Sequence, residues 1–179
     1  MPKRRVMAVP QGLTLKHHRD LADREARPLV RRALVALLAV LLVLGLLNLF
    51  GQRVEVSSAE SSTARVEMSA PTKLRGGLFF QARVRVVAIE EIANATLVLD
   101  PDWLEDITLN TVEPAPVGEA SRDGRIALEL GRIPAGDEHR LYLQFQVNPT
   151  ALGTRSQNIE LYDGDRLLLS LDRDALVWP

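Results

Sequence analysis

Leu78–Ala88, LFFQARVRVVA, decides the fold. Leu78, Phe80, Ala82, Val84, Val86 and Ala88 fall on one side of a two-residue period, and Gln81, Arg83 and Arg85 fall on the other. Alternation of this kind describes a strand with one buried and one wet face. The period recurs upstream, where Val66, Met68 and Ala70 alternate with Arg65, Glu67 and Ser69 until Pro71. It recurs downstream in Ala95–Leu99, in Ile107, Leu109 and Thr111, and in Ile126, Leu128 and Leu130. Leu141, Leu143, Phe145 and Val147 alternate with Tyr142, Gln144 and Gln146, and Ile159–Leu161, Leu167–Leu171 and Ala175–Trp178 follow.

Turn signals separate these runs: Leu74-Arg75-Gly76-Gly77, Glu90–Asn94, Asp100-Pro101-Asp102, Asn148-Pro149 and the hairpin dipeptide Asp163-Gly164. Val117–Arg125 reads as a polar loop. No long helical pattern interrupts the series. The expected fold is mainly β: seven or eight strands packed as an antiparallel sandwich over residues 65–179.

The other defining stretch is Ala33–Phe50, ALVALLAVLLVLGLLNLF, which carries no charge in 18 residues. As a helix it runs about 27 Å, close to the hydrocarbon thickness of a bilayer. In lipid the backbone must satisfy its own hydrogen bonds, so a single N-terminal transmembrane α-helix is expected over 33–50. A cleaved signal peptide is the rival reading, with Val56-Ser57-Ser58 as a poor cleavage site. The 32 residues ahead of the apolar run are long for a signal peptide and favour an uncleaved signal-anchor.

Charge divides at this helix. Residues 1–32 hold nine Lys/Arg against three Asp/Glu, and residues 51–179 hold 13 Lys/Arg against 20 Asp/Glu. Positive charge beside a spanning helix stays on the cytoplasmic side. The expected placement is the cell membrane, single-pass, with a basic cytoplasmic tail at 1–32 and the C-terminal domain extracytoplasmic. The tail reads as a topology signal touching lipid headgroups. Docking is the sharper alternative, and no nucleic-acid partner is expected, since no aromatic residue accompanies the charge. Residues 51–64, rich in Ser57, Ser58, Ser61, Ser62 and Thr63, read as a polar stalk. Their first residues have an alternative as an edge strand.

Leu128-Glu-Leu-Gly-Arg-Ile-Pro-Ala-Gly136 and the amphipathic strand Leu141–Val147 resemble the immunoglobulin-like modules of bacterial cell surfaces, of the DUF11 and CARDB type and the similar NPCBM-associated domains. In these a strand ends in a Leu-Gly-x-Ile/Leu-Pro-Ala-Gly turn, where Pro presets φ and Gly takes the left-handed position. The resemblance implies an immunoglobulin-like sandwich that serves as a spacer or binding surface, and it transfers no functional residue. The overall layout also resembles small single-pass membrane proteins of actinobacteria.

The chain has no cysteine, which excludes thiolate catalysis and Cys-based metal sites. HExxH, GxSxG, SxxK and phosphate-binding glycine loops are absent from the sequence. His139, beside the Gly136 turn, reads as solvent-exposed, and Ser121 as a loop residue without a visible base. Neither an enzyme nor a cofactor is expected, and neither a catalytic nor a metal site is assigned. Three Asp-x-Asp pairs, Asp100/Asp102, Asp163/Asp165 and Asp172/Asp174, are the raw material for calcium. Each also has a plain reading: a strand end, a hairpin, and two acids flanking Arg173 on a solvated strand. Trp103 and Trp178 read as filling the core or capping its ends.

The candidate binding residues are Gln81, Arg83 and Arg85 on one strand and Tyr142, Gln144 and Gln146 on another. If these strands are neighbours, the six form one flat polar face with Arg and Tyr, residue types favoured at interfaces. The functional expectation is a non-catalytic, membrane-anchored interaction or adaptor module, partnered by the lipid bilayer and by another membrane or envelope protein. The alternative is a sensor of calcium or cell-wall glycan signalling through the helix.

Overall fold

The computed structural model describes residues 26–47 and 51–179. The chain divides into two units, Met1–Phe50 and Gly51–Pro179. In the first, α1 spans Ala26–Leu46 and is about 31 Å long at 1.5 Å per residue. It begins upstream of the apolar run, at Ala26 rather than Ala33, and takes in Arg31 and Arg32. Pro28 suits the first turn, whose amides have no helical partner, and Arg, Leu and Ala sustain the helix beyond it. Pro28–Leu46 is long and apolar enough to cross a membrane. The basic tail up to Glu25 and the expected helix end at Asn48–Phe50 lie outside the described residues.

The second unit is a β-sandwich. Its strands are β1 (Val54–Glu60), β2 (Ala64–Pro71), β3 (Lys73–Arg75), β4 (Phe79–Ala88), β5 (Ile92–Leu99), β6 (Ile107–Glu113) and β7 (Gly118–Arg122). They continue as β8 (Arg125–Ile133), β9 (Glu138–Val147), β10 (Gly153–Ser156), β11 (Ile159–Asp163), β12 (Arg166–Leu171) and β13 (Asp174–Trp178). One sheet runs β1-β2-β4-β9-β6 and the other β12-β11-β5-β8-β7, while a small sheet, β10-β13-β3, closes one end. Every pairing is antiparallel except β13 with β3.

The antiparallel sandwich is as read. The strands described number thirteen rather than seven or eight: nine coincide with the apolar runs read from the sequence, and β1, β3, β7 and β10 lie in stretches where no such run is sustained. All four are edge strands. An edge strand is held by backbone pairing along one side, so its side chains need not follow the two-residue period. Thus the segment read as a stalk contains β1, paired along its whole length with β2 from Val54↔Pro71 to Glu60↔Arg65. That is the alternative kept for its first residues.

The core follows the alternation. Val66 and Met68 of β2, Phe80 to Ala88 on the even positions of β4, and Leu141, Leu143 and Phe145 of β9 are buried against Leu97 and Leu99 of β5, Leu128 of β8, and Ile159 and Leu161 of β11. Trp103 stacks on Phe145, which stacks on Phe80, both at 5.0 Å between ring centroids. The Trp103 indole N–H donates to the Asn158 carbonyl at 3.0 Å, which satisfies its polar atom inside the core. Trp178 instead stands at the small sheet, with the Arg75 guanidinium 5.9 Å from its ring. Leu78 departs from the expected buried face: β4 starts one residue later, and Leu78 is exposed after the Gly76-Gly77 turn. The strand expected to end at Leu130-Gly131 continues to Ile133: Gly131 (φ 75°) lies inside β8 at an irregularity in its pairing with β5, and only Gly136 (φ 84°) lies in the turn that follows.

Candidate interaction face

β4 and β9 are hydrogen-bonded neighbours, and their register decides the candidate face. Gln81 lies opposite Gln144, Arg83 opposite Tyr142, and Phe79 opposite Gln146. Directly opposed residues share a face. All six residues singled out from the sequence therefore lie together on the outward side of this sheet. Beyond them, Glu113 of β6 lies opposite Tyr142, and the Thr111 hydroxyl reaches the Gln144 side-chain carbonyl at 3.4 Å. On the other flank, Ser69 and Glu67 of β2 lie opposite Arg83 and Arg85.

The two arginines differ in their surroundings. Arg85 lies opposite Arg140, an unfavourable like-charge pair that carboxylates offset. Arg85 Nε donates to Glu138 Oε2 at 2.6 Å, Arg85 Nη1 to Glu67 Oε2 at 3.3 Å, and Arg140 bonds Glu138 Oε1. The hydrogen bond to Glu138 is the main cause that raises the Arg85 pKa, and the reciprocal bond from Arg85 holds the Glu138 carboxyl below its ordinary range. Arg83 has no ion pair among the described residues and lies over the Tyr142 ring at 5.3 Å. Val56, Ser69, Arg83, Arg85 and Tyr142 line a shallow depression here. The cation on its aromatic platform is thus the part of the face whose charge no carboxylate neutralises.

A second outward surface was missed. On the β5-β8-β7 sheet, Thr96, Ala120, Ala127 and Gly131 floor a groove of about 760 Å³, bordered by Arg122 and Asp165. Arg122 lies 3.9 Å above the Tyr162 ring and donates to the Gly164 carbonyl at 2.8 Å and to Asp165 Oδ1 at 3.1 Å. Beside it Glu160 accepts from Arg125 at 2.7 Å and from the Tyr162 hydroxyl at 2.8 Å. The signal was the row Ala127, Glu129, Gly131, the outward partner of the apolar Ile126, Leu128, Leu130 row. Ala127 and Gly131 in that row leave room beside Glu129. Arg122 escaped notice because β7 read as loop.

His139 corrects its expectation. It lies on the inward side of β9, half-buried, with its Nε2 atom buried and unpaired among the described residues. Burial lowers its pKa. Ser121 lies in the opposite sheet, on β7. At least one member of each Asp pair is engaged structurally. Asp100 accepts from the Ser156 hydroxyl at 2.9 Å and Asp102 from the Ser156 amide at 3.0 Å, which fixes β10. Asp163 accepts from the Asn94 amide at 2.9 Å, and Asp172 from the Ser170 hydroxyl at 3.3 Å. Among the described residues no three metal-ligating side chains gather. Arg173 is not on a solvated strand: it is 6% exposed and donates Nη2 to the Ala70 carbonyl.

No family model and no curated protein matches the chain. Among solved structures, the chain is similar to the CARDB domain of a Pyrococcus furiosus protein crystallised in complex with di-metal ions, with 15% identity over 68% of this chain and 90% of that one and a TM-score of 0.39.

Proposed function

We propose that this chain is a non-catalytic, membrane-anchored interaction module. Its helix spans the membrane with the basic tail (1–32) inside, and the sandwich outside presents the β4–β9 face to another membrane or envelope protein. The observation that carries this reading is the register that gathers Gln81, Arg83, Arg85, Tyr142, Gln144 and Gln146 on one outward face, with Arg83 on the Tyr142 ring and free of ion pairs among the described residues. Arg and Tyr on a flat, otherwise polar surface supply the residue types that dominate interface energetics. Anchoring confines the module to a thin layer beside the bilayer, which raises its effective concentration toward membrane partners.

Cross-linking in intact cells, followed by purification of the full-length chain, tests the reading. The expected result is one abundant membrane or envelope protein, lost when Arg83 and Tyr142 are replaced by Ala. Retention of that partner by the double variant refutes the face, and recovery of no partner refutes the adaptor function. The groove beside Arg122 favours a second reading, a sensor of a small ligand such as a glycan. That reading requires a rise in melting temperature on adding cell-wall glycan fragments to the full-length chain in detergent.

A further inference from the structure

The end of the sandwich at which β1 begins differs in composition from the rest of the domain. β1 starts opposite the end of β2, at Val54↔Pro71, and β3 follows directly. β3 and β13 then pair as Leu176↔Lys73 and Trp178↔Arg75. The Leu176 amide donates to the Thr72 carbonyl at 2.8 Å, and the Gly76 amide to the Trp178 carbonyl at 2.9 Å. The Leu78 amide donates to the Arg75 carbonyl at 3.2 Å, which brings Leu78 and Phe79 onto the same end.

Alternation sorts this small sheet. Leu74 and Val177 point inward and are buried, so Lys73, Arg75, Leu176 and Trp178 take the outward side. Leu176 is 48% exposed, Leu78 47% and Phe79 57%. A water-facing domain end rarely gathers several large apolar side chains without an occupant for them. The outward side of β3 carries Lys73 and Arg75, and that of β13 begins with Asp174, while Asp102 and Asp106 bond Ser156 and Arg155 of β10. Met68–Ile89 contains Lys73, Arg75, Arg83 and Arg85 and no Asp or Glu, in a unit where acids outnumber bases by 20 to 13.

Chain order supplies the occupant. Only residues 48–50 separate Leu47 from the second unit, and Leu47 and Val54 are at most about 25 Å apart along an extended chain. Large apolar and aromatic side chains among Lys and Arg match the interfacial zone of a bilayer, where rings lie at headgroup level and cations meet anionic phosphates. We infer that the outward face of β3 and β13, with Leu78 and Phe79, docks on an anionic lipid surface and seats the domain on the bilayer. This rests on the reading of α1 as a membrane span.

The cysteine-free chain allows single nitroxide labels on the full-length protein reconstituted in bilayers of mixed phosphatidylglycerol and phosphatidylcholine. Thr154→Cys lies beside Leu176 on the small sheet, Ala135→Cys in the turn that bonds the far end of β4, and Leu38→Cys in α1. The expected result is a label at 154 that collides with oxygen in preference to a water-soluble nickel chelate, as the label at 38 does, while the label at 135 shows the reverse. Adding Phe79→Ser and Leu176→Ser returns the label at 154 to the aqueous pattern. Labels at 154 and 135 that are equally aqueous, with 38 in lipid, overturn the docking face and leave the anchor standing. An aqueous label at 38 overturns the anchor and the docking with it. An unchanged pattern in pure phosphatidylcholine overturns the role given to Lys73 and Arg75.

Discussion

Replacing Phe145 by Ala tests the core directly. The ring is fully buried on β9 and stacks between Trp103 and Phe80 at 5.0 Å on each side. Truncating a buried Phe costs about 3–5 kcal/mol, through lost transfer free energy and the cavity left behind. Two aromatic contacts, each about 0.5–1.5 kcal/mol, place this site toward the upper end. A unit of 129 residues has a total stability of roughly 6–19 kcal/mol at 0.05–0.15 kcal/mol per residue. The variant therefore folds with a large fraction of its stability gone, and its melting temperature falls by about 15–20 °C. The assay is urea unfolding of the full-length chain in detergent, followed by tryptophan fluorescence, since Trp103 loses its stacked partner. The control is Leu167→Ala on β12, a half-exposed side chain, with an expected change within about 0.5 kcal/mol. If the two variants unfold within about 1 kcal/mol of each other, the Phe80–Phe145–Trp103 stack is not the centre of the core.

The two left-handed glycines and the half-buried histidine give two more tests. Gly136→Ala should cost about 1–2 kcal/mol for placing a side chain at φ 84°, with open space around the new Cβ. Gly131→Ala should cost more by thermal unfolding, because its Cβ would also stand 3.2 Å from Val117 Cγ2; equal losses would show that Val117 gives way freely. His139 binds its proton less readily in the folded chain than at its ordinary 6.5, so its contribution to stability is intact above that pH and is lost as pH falls from 6.5 toward the folded value. Glu91 and Glu138, held below 4.5 by Arg132 and Arg85, withdraw their contribution only at lower pH. A melting-temperature profile should therefore fall in two stages, and His139→Gln should remove the first; parallel profiles for the two proteins would refute the assignment to His139.

Much of the fold was legible because long central strands carry the two-residue period twice over. β4 and β9 each have a neighbour on both sides and an apolar face against the other sheet, so their residues alternate cleanly. The candidate face followed from the same fact. Once Phe80, Ala82 and Val84 face the core, Gln81, Arg83 and Arg85 must face out. Only the adjacency of β4 and β9 had to be supplied by the structure, since strand order depends on contacts distant in the chain. The edge strands β3, β7 and β10 were not legible, and β1 only as an alternative, because backbone pairing on one side imposes no pattern on side chains. The groove beside Arg122 was lost with β7, one of its walls.

A different kind of error is more instructive, because the period itself predicted the answer. His139 shares its parity with Leu141, Leu143 and Phe145, and it faces inward with them. Gln157 extends the inward row of Ile159 and Leu161 and is fully buried, with neither side-chain amide atom paired among the described residues. Arg173 interrupts the buried odd-numbered row Leu169, Leu171, Ala175 and Val177, and it too is buried, with burial lowering its pKa against the raising influence of Glu55. Residue type argued that His139 and Arg173 should be wet; strand geometry places His139 inside on β9, while Gln157 and Arg173 are buried in the links β10–β11 and β12–β13. For His139, inside β9, geometry prevails because turning its side chain outward would shift the register of every neighbour on the strand, exposing several apolar residues to solvate one polar one. Arg173, in the link between β12 and β13, is held by its backbone amide donating to Asn158 Oδ1 and its guanidinium donating to the Ala70 carbonyl, which recovers part of the desolvation cost. In a sandwich of short strands, a polar residue in phase with its apolar neighbours is therefore to be read as buried, even where its neighbours in sequence are Asp172 and Asp174.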